Sequence, residues 1–244
     1  MLDRAARAGV HTLLTVGVDV LSSTRAVALT QQYCASHGVV AAVGLHPAFL
    51  HADMTLSHET IEHSIGSIAQ LAQAEPERVV AIGEIGLDTI DGRAPLDFQA
   101  SVFRGQLLLA HEQGLPVVLH VQGTEAIVMA QDILAGEGIG VGVVVHYFKG
   151  DIEEARRWLD LGCYISVGRP VTRIENTLLR SAIASPDLPL ERLLAETDTY
   201  PLPGRKTEPA DVVGVFEAVA ALKQLSVSET AQQIMMNFRR IFRP

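Results

Sequence analysis

Seven short runs rich in Val, Ile and Leu punctuate the chain, and each is followed by a longer stretch whose apolar residues recur at helical spacing. The runs are HTLLTVGV from His11, VVAAVGLHP from Val39, VVAIGEIGLD from Val79, PVVLHVQG from Pro116, VGVVVHYFKG from Val141, CYISVG from Cys163 and LLAETD from Leu193. Near-continuous apolarity marks strands covered on both faces, and regular alternation with helices is the order of a parallel α/β fold. The spacing predicts helices over residues 23–36, 57–74, 95–113, 124–136, 152–161 and 174–184, then two more over 209–223 and 226–242. Gly38 and Gly114 stand where C-terminal caps are needed, and Ser226 with Glu229 forms a capping box.

A closed barrel of parallel strands and helices has eight strands. This chain offers seven and opens directly in a helix-like segment, residues 2–8. The expected fold is therefore α/β: a TIM-like (β/α) barrel with seven of eight strands evident, its first strand missing and extra C-terminal helices. A doubly wound open sheet is the structural alternative.

At 244 residues and 48% hydrophobic, with no Ser/Gly/Pro-rich linker, the chain is expected to be one domain over residues 1–244, N-terminally incomplete. Cys34 and Cys163 lack the close spacing of zinc or redox pairs and read as buried thiols in a reducing compartment. No segment approaches the roughly 18 apolar residues of a membrane span, and the N-terminus has no apolar signal core. A cytoplasmic protein without membrane contact, and a monomer, is expected. The net charge of −9 argues against broad electrostatic wrapping of a polyanion, so any nucleic-acid contact is local.

Four runs end in a side chain able to bind metal: Glu84, His120, His146 and Asp198. In a parallel barrel the strand ends converge on one face, so residues distant in sequence approach a common point. His120 and His146 are 26 residues apart, about one strand–helix unit, and His146 and Asp198 are 52 apart, about two. One histidine at a strand end is more often structural than functional; four such residues in register reverse that weighting. A carboxylate after the apolar residues 79–83 is costly to bury without a cation or donors, so Glu84 needs a partner. Imidazole with carboxylate suits Zn, Mn or Fe, and Mg where carboxylate, water and phosphate dominate.

His46, in GLHP, is balanced between a substrate contact and a structural turn. His51, His58 and His63 fall in a polar loop and helix, and His37 and His111 near helix C-termini, where a partly positive ring suits the dipole. Those five carry no assigned chemistry. Lys149, Arg169, Arg173, Arg205 and Lys206 all follow predicted strands and would form a local anion funnel, weighed evenly against ordinary solvated charge.

The ordered set GLHP, GEIGLD, a Gln- and Leu-rich helix leading to GLPVVLH, then VHYFKG, GCYISVG, LLAETD and NFRRIF resembles the TatD family of metal-dependent deoxyribonucleases from about Leu2 to Phe242. The resemblance implies an eight-stranded barrel with two divalent ions (Mg, Mn or Zn), Glu84 bridging both, His120 and His146 completing one site, and Asp198 serving the other. The family's remaining ligands come from an H-x-H motif on the first strand, and this sequence contains no H-x-H. Strand and motif would both lie just upstream of Met1, so the expectation is a truncated or misassigned start; a chain natively this short would hold only one ion fully. Val121-Gln122-Gly123 stands where the family has an Arg, and Arg205-Lys206-Thr207-Glu208-Pro209 replaces its RNEP-like segment.

The function implied is cleavage of phosphodiester bonds, as a deoxyribonuclease acting on DNA ends or another phosphoester. Glu84 and Asp198 are the catalytic candidates, with Asp198 the general base. His46, Lys149, Arg169 and Arg205 are assigned to substrate. Glu196 stands equally as a support to the metal ligands or as a structural residue. The rival readings are an amidohydrolase-like enzyme acting on a small metabolite and a non-catalytic, truncated metal-binding barrel.

Overall fold

The computed structural model describes residues 1–50, 58–137, 140–199 and 207–243. Among them the seven apolar runs all become strands, each shorter than its run except β3. No eighth strand is present among the described residues, and no described helix is long and apolar enough to cross a membrane. The chain divides into two compact units, one of Leu14–Val144 and one of Met1–Leu13 with Val145–Arg243.

The first unit carries β1 (Leu13–Val16), α2 (Val20–His37), β2 (Val39–Val43), α3 (His58–Ala74), β3 (Val79–Asp88), α4 (Leu96–Gln113), β4 (Val117–Gln122), α5 (Thr124–Glu137) and most of β5 (Val143–Val145). Its strands neighbour one another in chain order. Parallel pairing joins β2 to β3 from Ala41↔Val79 to Val43↔Ile82, and β3 to β4 from Ile82↔Val117 to Asp88↔Gln122. Every residue of β2 is buried, and every residue of β3 except Glu84, as strands covered on both faces require.

The second unit carries α1 (Leu2–Arg7), α6 (Ile152–Asp160), β6 (Tyr164–Val167), α7 (Thr177–Ala184), β7 (Leu193–Ala195), α8 (Val212–Lys223) and α9 (Val227–Phe242). Its two strands pair in parallel from Ile165↔Leu193 to Val167↔Ala195. The indole of Trp158, fully buried in α6, anchors this core.

Helix boundaries follow local chemistry. Gly38 and Gly114 end α2 and α4 in the left-handed conformation, with φ of 60° and 63°, as the capping pattern predicts. Ser226 and Glu229 form the expected reciprocal cap on α9. Helix α2 starts three residues ahead of the predicted Ser23, because Asp19 caps it and exchanges hydrogen bonds with Ser22. Helix α7 starts three residues after the predicted 174, since Arg169–Thr172 winds as a 3-10 turn.

Candidate metal centre

Three side chains of the first unit converge. His46, Glu84 and His120 each offer a ligand atom, and these atoms all lie within 4.8 Å of one another. Glu84 sits inside β3 rather than at its end, four residues before the strand stops. The pairing of β3 with β4 breaks between Gly83 and Ile85, so Glu84 drops out of the ladder, the one residue of the strand that is not buried. His120 projects from β4, and His46 from the turn after β2, where it caps the 3-10 turn Pro47–Phe49. A carboxylate and an imidazole at this spacing, largely shielded from water, fit one divalent cation with room for further ligands.

Hydrogen bonding separates the two imidazoles. Nε2 of His120 is 2.9 Å from Oδ2 of Asp88. Burial would raise the Asp88 carboxyl, but hydrogen bonds from His120 and from the Asp91 and Ile90 N–H groups bring it down to about 2. An ionised carboxylate only accepts, so His120 carries its proton on Nε2, and Nδ1 is the lone-pair nitrogen with which it can bind a cation. In His46 the order is reversed. Nδ1 accepts the N–H of Ala48 at 3.0 Å, which puts the proton on Nε2, 3.5 Å from Oε2 of Glu84. His46 is thereby a donor.

Two buried glutamines of α4, seven residues and two turns apart, hold this cluster. Gln99 accepts from the Asp88 N–H at 2.8 Å and donates to the carbonyls of Asp88 and Ala94. Gln106 accepts from the Leu45 N–H at 2.7 Å and donates to its carbonyl at 3.1 Å. Each supplies the partners that a backbone leaving its ladder has lost, and so fixes where Asp88 and His46 begin.

In the second unit, His146 follows β5 and its Nδ1 lies 3.0 Å from Oε2 of Glu196, to which the Ser166 hydroxyl also donates at 2.5 Å. Burial pushes the Glu196 carboxyl up, but attraction to His146 and the bonds from His146, Ser166 and the Tyr147 backbone outweigh it and hold the group below its ordinary value. His146 thus donates through Nδ1 and presents Nε2 as its lone-pair atom. Asp198, three residues past β7, has φ of 46°, and Tyr147 has φ of 49°, conformations that non-glycine residues adopt at a cost of order 1–3 kcal/mol. The ammonium of exposed Lys149 lies 5.3 Å from the Tyr147 ring centre, and Arg169 donates to the Thr207 hydroxyl at 3.1 Å. Arg205, Lys206 and His51 lie outside the described residues.

Sequence reasoning passed over Asp88, Ser166, Gln99 and Gln106. A signal for Asp88 was present: an acid closing a buried apolar run needs donors as much as Glu84 does. The serine and glutamines carried none, because their partners are backbone or side-chain atoms from other elements.

Buried parallel strands that bring carboxylate and imidazole together are the build of a metal-dependent hydrolase. The chain belongs to the TatD family: the family model "TatD related DNase" matches residues 1–243. Its fold is the TIM-like α/β fold of the solved TatD homologue YjjV from Escherichia coli K12, matched at 31% identity and TM-score 0.85 over 100% of this chain and 90% of that one. It is 36% identical to the uncharacterized metal-dependent hydrolase YabD of Bacillus subtilis (strain 168), over 100% of this chain and 91% of the relative. It is also 33% identical to a protein of Erwinia tasmaniensis named 3'-5' ssDNA/RNA exonuclease TatD, over 99% and 92%.

Proposed function

We propose that this TatD-family hydrolase cleaves phosphodiester bonds at nucleic-acid ends, with Glu84, His120, His146 and Asp198 as ligands of two divalent ions (Mg, Mn or Zn). The observation that carries the reading is the convergence of His46, Glu84 and His120, with His120 locked by Asp88 into a ligating tautomer. The name of the Erwinia relative supports nucleic acid as the substrate class.

Divalent ions held there would lower the pKa of water, orient a phosphate and stabilise charge on a leaving oxygen. The protein supplies the rest. Glu84 brings negative charge to the ions, and Asp198 takes the proton from the attacking water. His46, protonated at Nε2, donates to a phosphate oxygen. Lys149 and Arg169 contact flanking phosphates, a role also assigned to Arg205.

The test uses end-labelled single-stranded oligonucleotides with protein stripped by chelator and reloaded with Mg, Mn or Zn. Mononucleotide release should appear only on reloading, fall with rising salt, and vanish in Glu84→Ala. Metal-stimulated hydrolysis of small esters or amides with oligonucleotides left intact would overturn the assignment.

A further inference from the structure

The first unit contains a second feature beside the cluster, a recess of about 250 Å³ between the end of β1 and the turn after β2. Its walls are Val18, Val20, Leu45 and Leu50, with Ser64 and Asp19 as polar members and Phe49 and Leu21 also in the lining. Leu45 and Leu50 are buried, whereas Phe49 and Leu21 are 49% and 60% exposed, so an aromatic face is open to solvent beside the recess. His46 forms one wall, and its ring meets Phe49 edge-to-face, centres 5.8 Å apart.

Nε2 of His46 lies 3.5 Å from Oε2 of Glu84, so one residue belongs both to the lining of the recess and to the cluster. A phosphate held at the cluster would therefore have the recess within reach of its own substituent. We propose that this recess is a subsite for one unpaired nucleobase, with Phe49 as its stacking platform. The inference rests on the phosphodiesterase reading above and says how that site would hold the terminal base of a strand.

Size and charge choose the occupant. The volume lies below the roughly 300–1,000 Å³ of pockets that enclose whole ligands, and suits one ring system rather than a nucleotide or a base pair. A second phosphate is disfavoured by Asp19, the charged side chain of the lining, whose carboxylate is turned to Ser22 at the α2 cap. Apolar walls offer little to read base edges, so recognition works through the π-face and tolerates all four bases. A base within a duplex cannot present that face.

The experiment compares two single-stranded oligonucleotides, one ending in 2-aminopurine and one ending in an abasic sugar at the same terminus, each terminus being tried in turn. Binding is measured in chelator, without turnover, by 2-aminopurine quenching and by anisotropy. The wild type should bind the base-ended strand about tenfold more tightly and quench its fluorescence, within the range of a single base–aromatic stack. Phe49→Ala should collapse that preference and the quenching, and Phe49→Tyr should retain both; unchanged melting curves certify the fold. Equal affinity of the wild type for both strands, or a preference intact in Phe49→Ala, overturns the subsite. If the metal-loaded wild type still cleaves both strands, the phosphodiesterase reading survives that failure; if it cleaves neither, the reading falls and takes the subsite with it.

Discussion

The His120–Asp88 pair in the first unit and the His146–Glu196 pair in the second use the same chemistry on different supports. Asp88, 1% exposed, divides its donors: Oδ2 takes His120, and Oδ1 takes the N–H groups of Ile90 and Asp91. Glu196 gathers His146 and Ser166 on Oε2, with the Tyr147 backbone as a further donor to the carboxylate. The first carboxylate spreads its donors over both oxygens; the second collects its side-chain donors on one. An acid can thus set a histidine tautomer from either arrangement, and both carboxyls, held below their ordinary values, contribute to folding. His46 sharpens the contrast, since a backbone N–H in place of a carboxylate turns the same ring into a donor.

The largest effect should come from the support behind Asp88. Gln99→Leu strands the Asp88 N–H and the Asp88 and Ala94 carbonyls, and at about 1–3 kcal/mol for each buried group should cost about 3–9 kcal/mol in urea unfolding. A loss below about 1 kcal/mol would mean that water replaces the glutamine without penalty. Next come Asp88→Asn and Glu196→Gln, each of which lets the amide donate to its histidine and disturbs the tautomer. Both should weaken metal binding about 10- to 100-fold by chelator competition. Both should also lower stability in metal-free protein, and an unchanged stability in either would contradict the depressed carboxyl of that pair.

The Asp88 carboxyl is depressed from 3.8 to about 2, so its stabilisation is complete above pH 3.8 and is lost as pH falls towards 2. The stability margin of metal-free wild type over Asp88→Asn should therefore narrow by about 2 kcal/mol between pH 6 and pH 2, and a constant margin would contradict the shift. The smallest effect is Ser166→Ala, which removes one of two donors from Glu196 Oε2. It should cost about 1 kcal/mol or less of stability and lower metal affinity less than Glu196→Gln does; parity between the two would make Ser166 the principal holder of Glu196.

Much of this molecule was legible in the sequence. The apolar runs announced every strand from β1 to β7 among the described residues, most plainly β2, β3, β5 and β6, because strands buried on both faces tolerate few polar interruptions. Glu84, by breaking one of them, was conspicuous for the same reason. Less legible was its place inside β3, since a ladder break leaves no mark in composition. Asp19 as the cap of α2 was missed because an apolar pair, Val20 and Leu21, hid the start of the helix.

The sequence by itself determined the order of strands and helices, the family, and the residue types able to bind a metal. Only the tertiary structure decided which nitrogen of His120 and of His146 holds the proton. That choice depends on partners far along the chain: Asp88 stands 32 residues from His120, and Glu196 stands 50 from His146. A proton follows the nearest acceptor in space, and distance in space is set by packing rather than by local sequence.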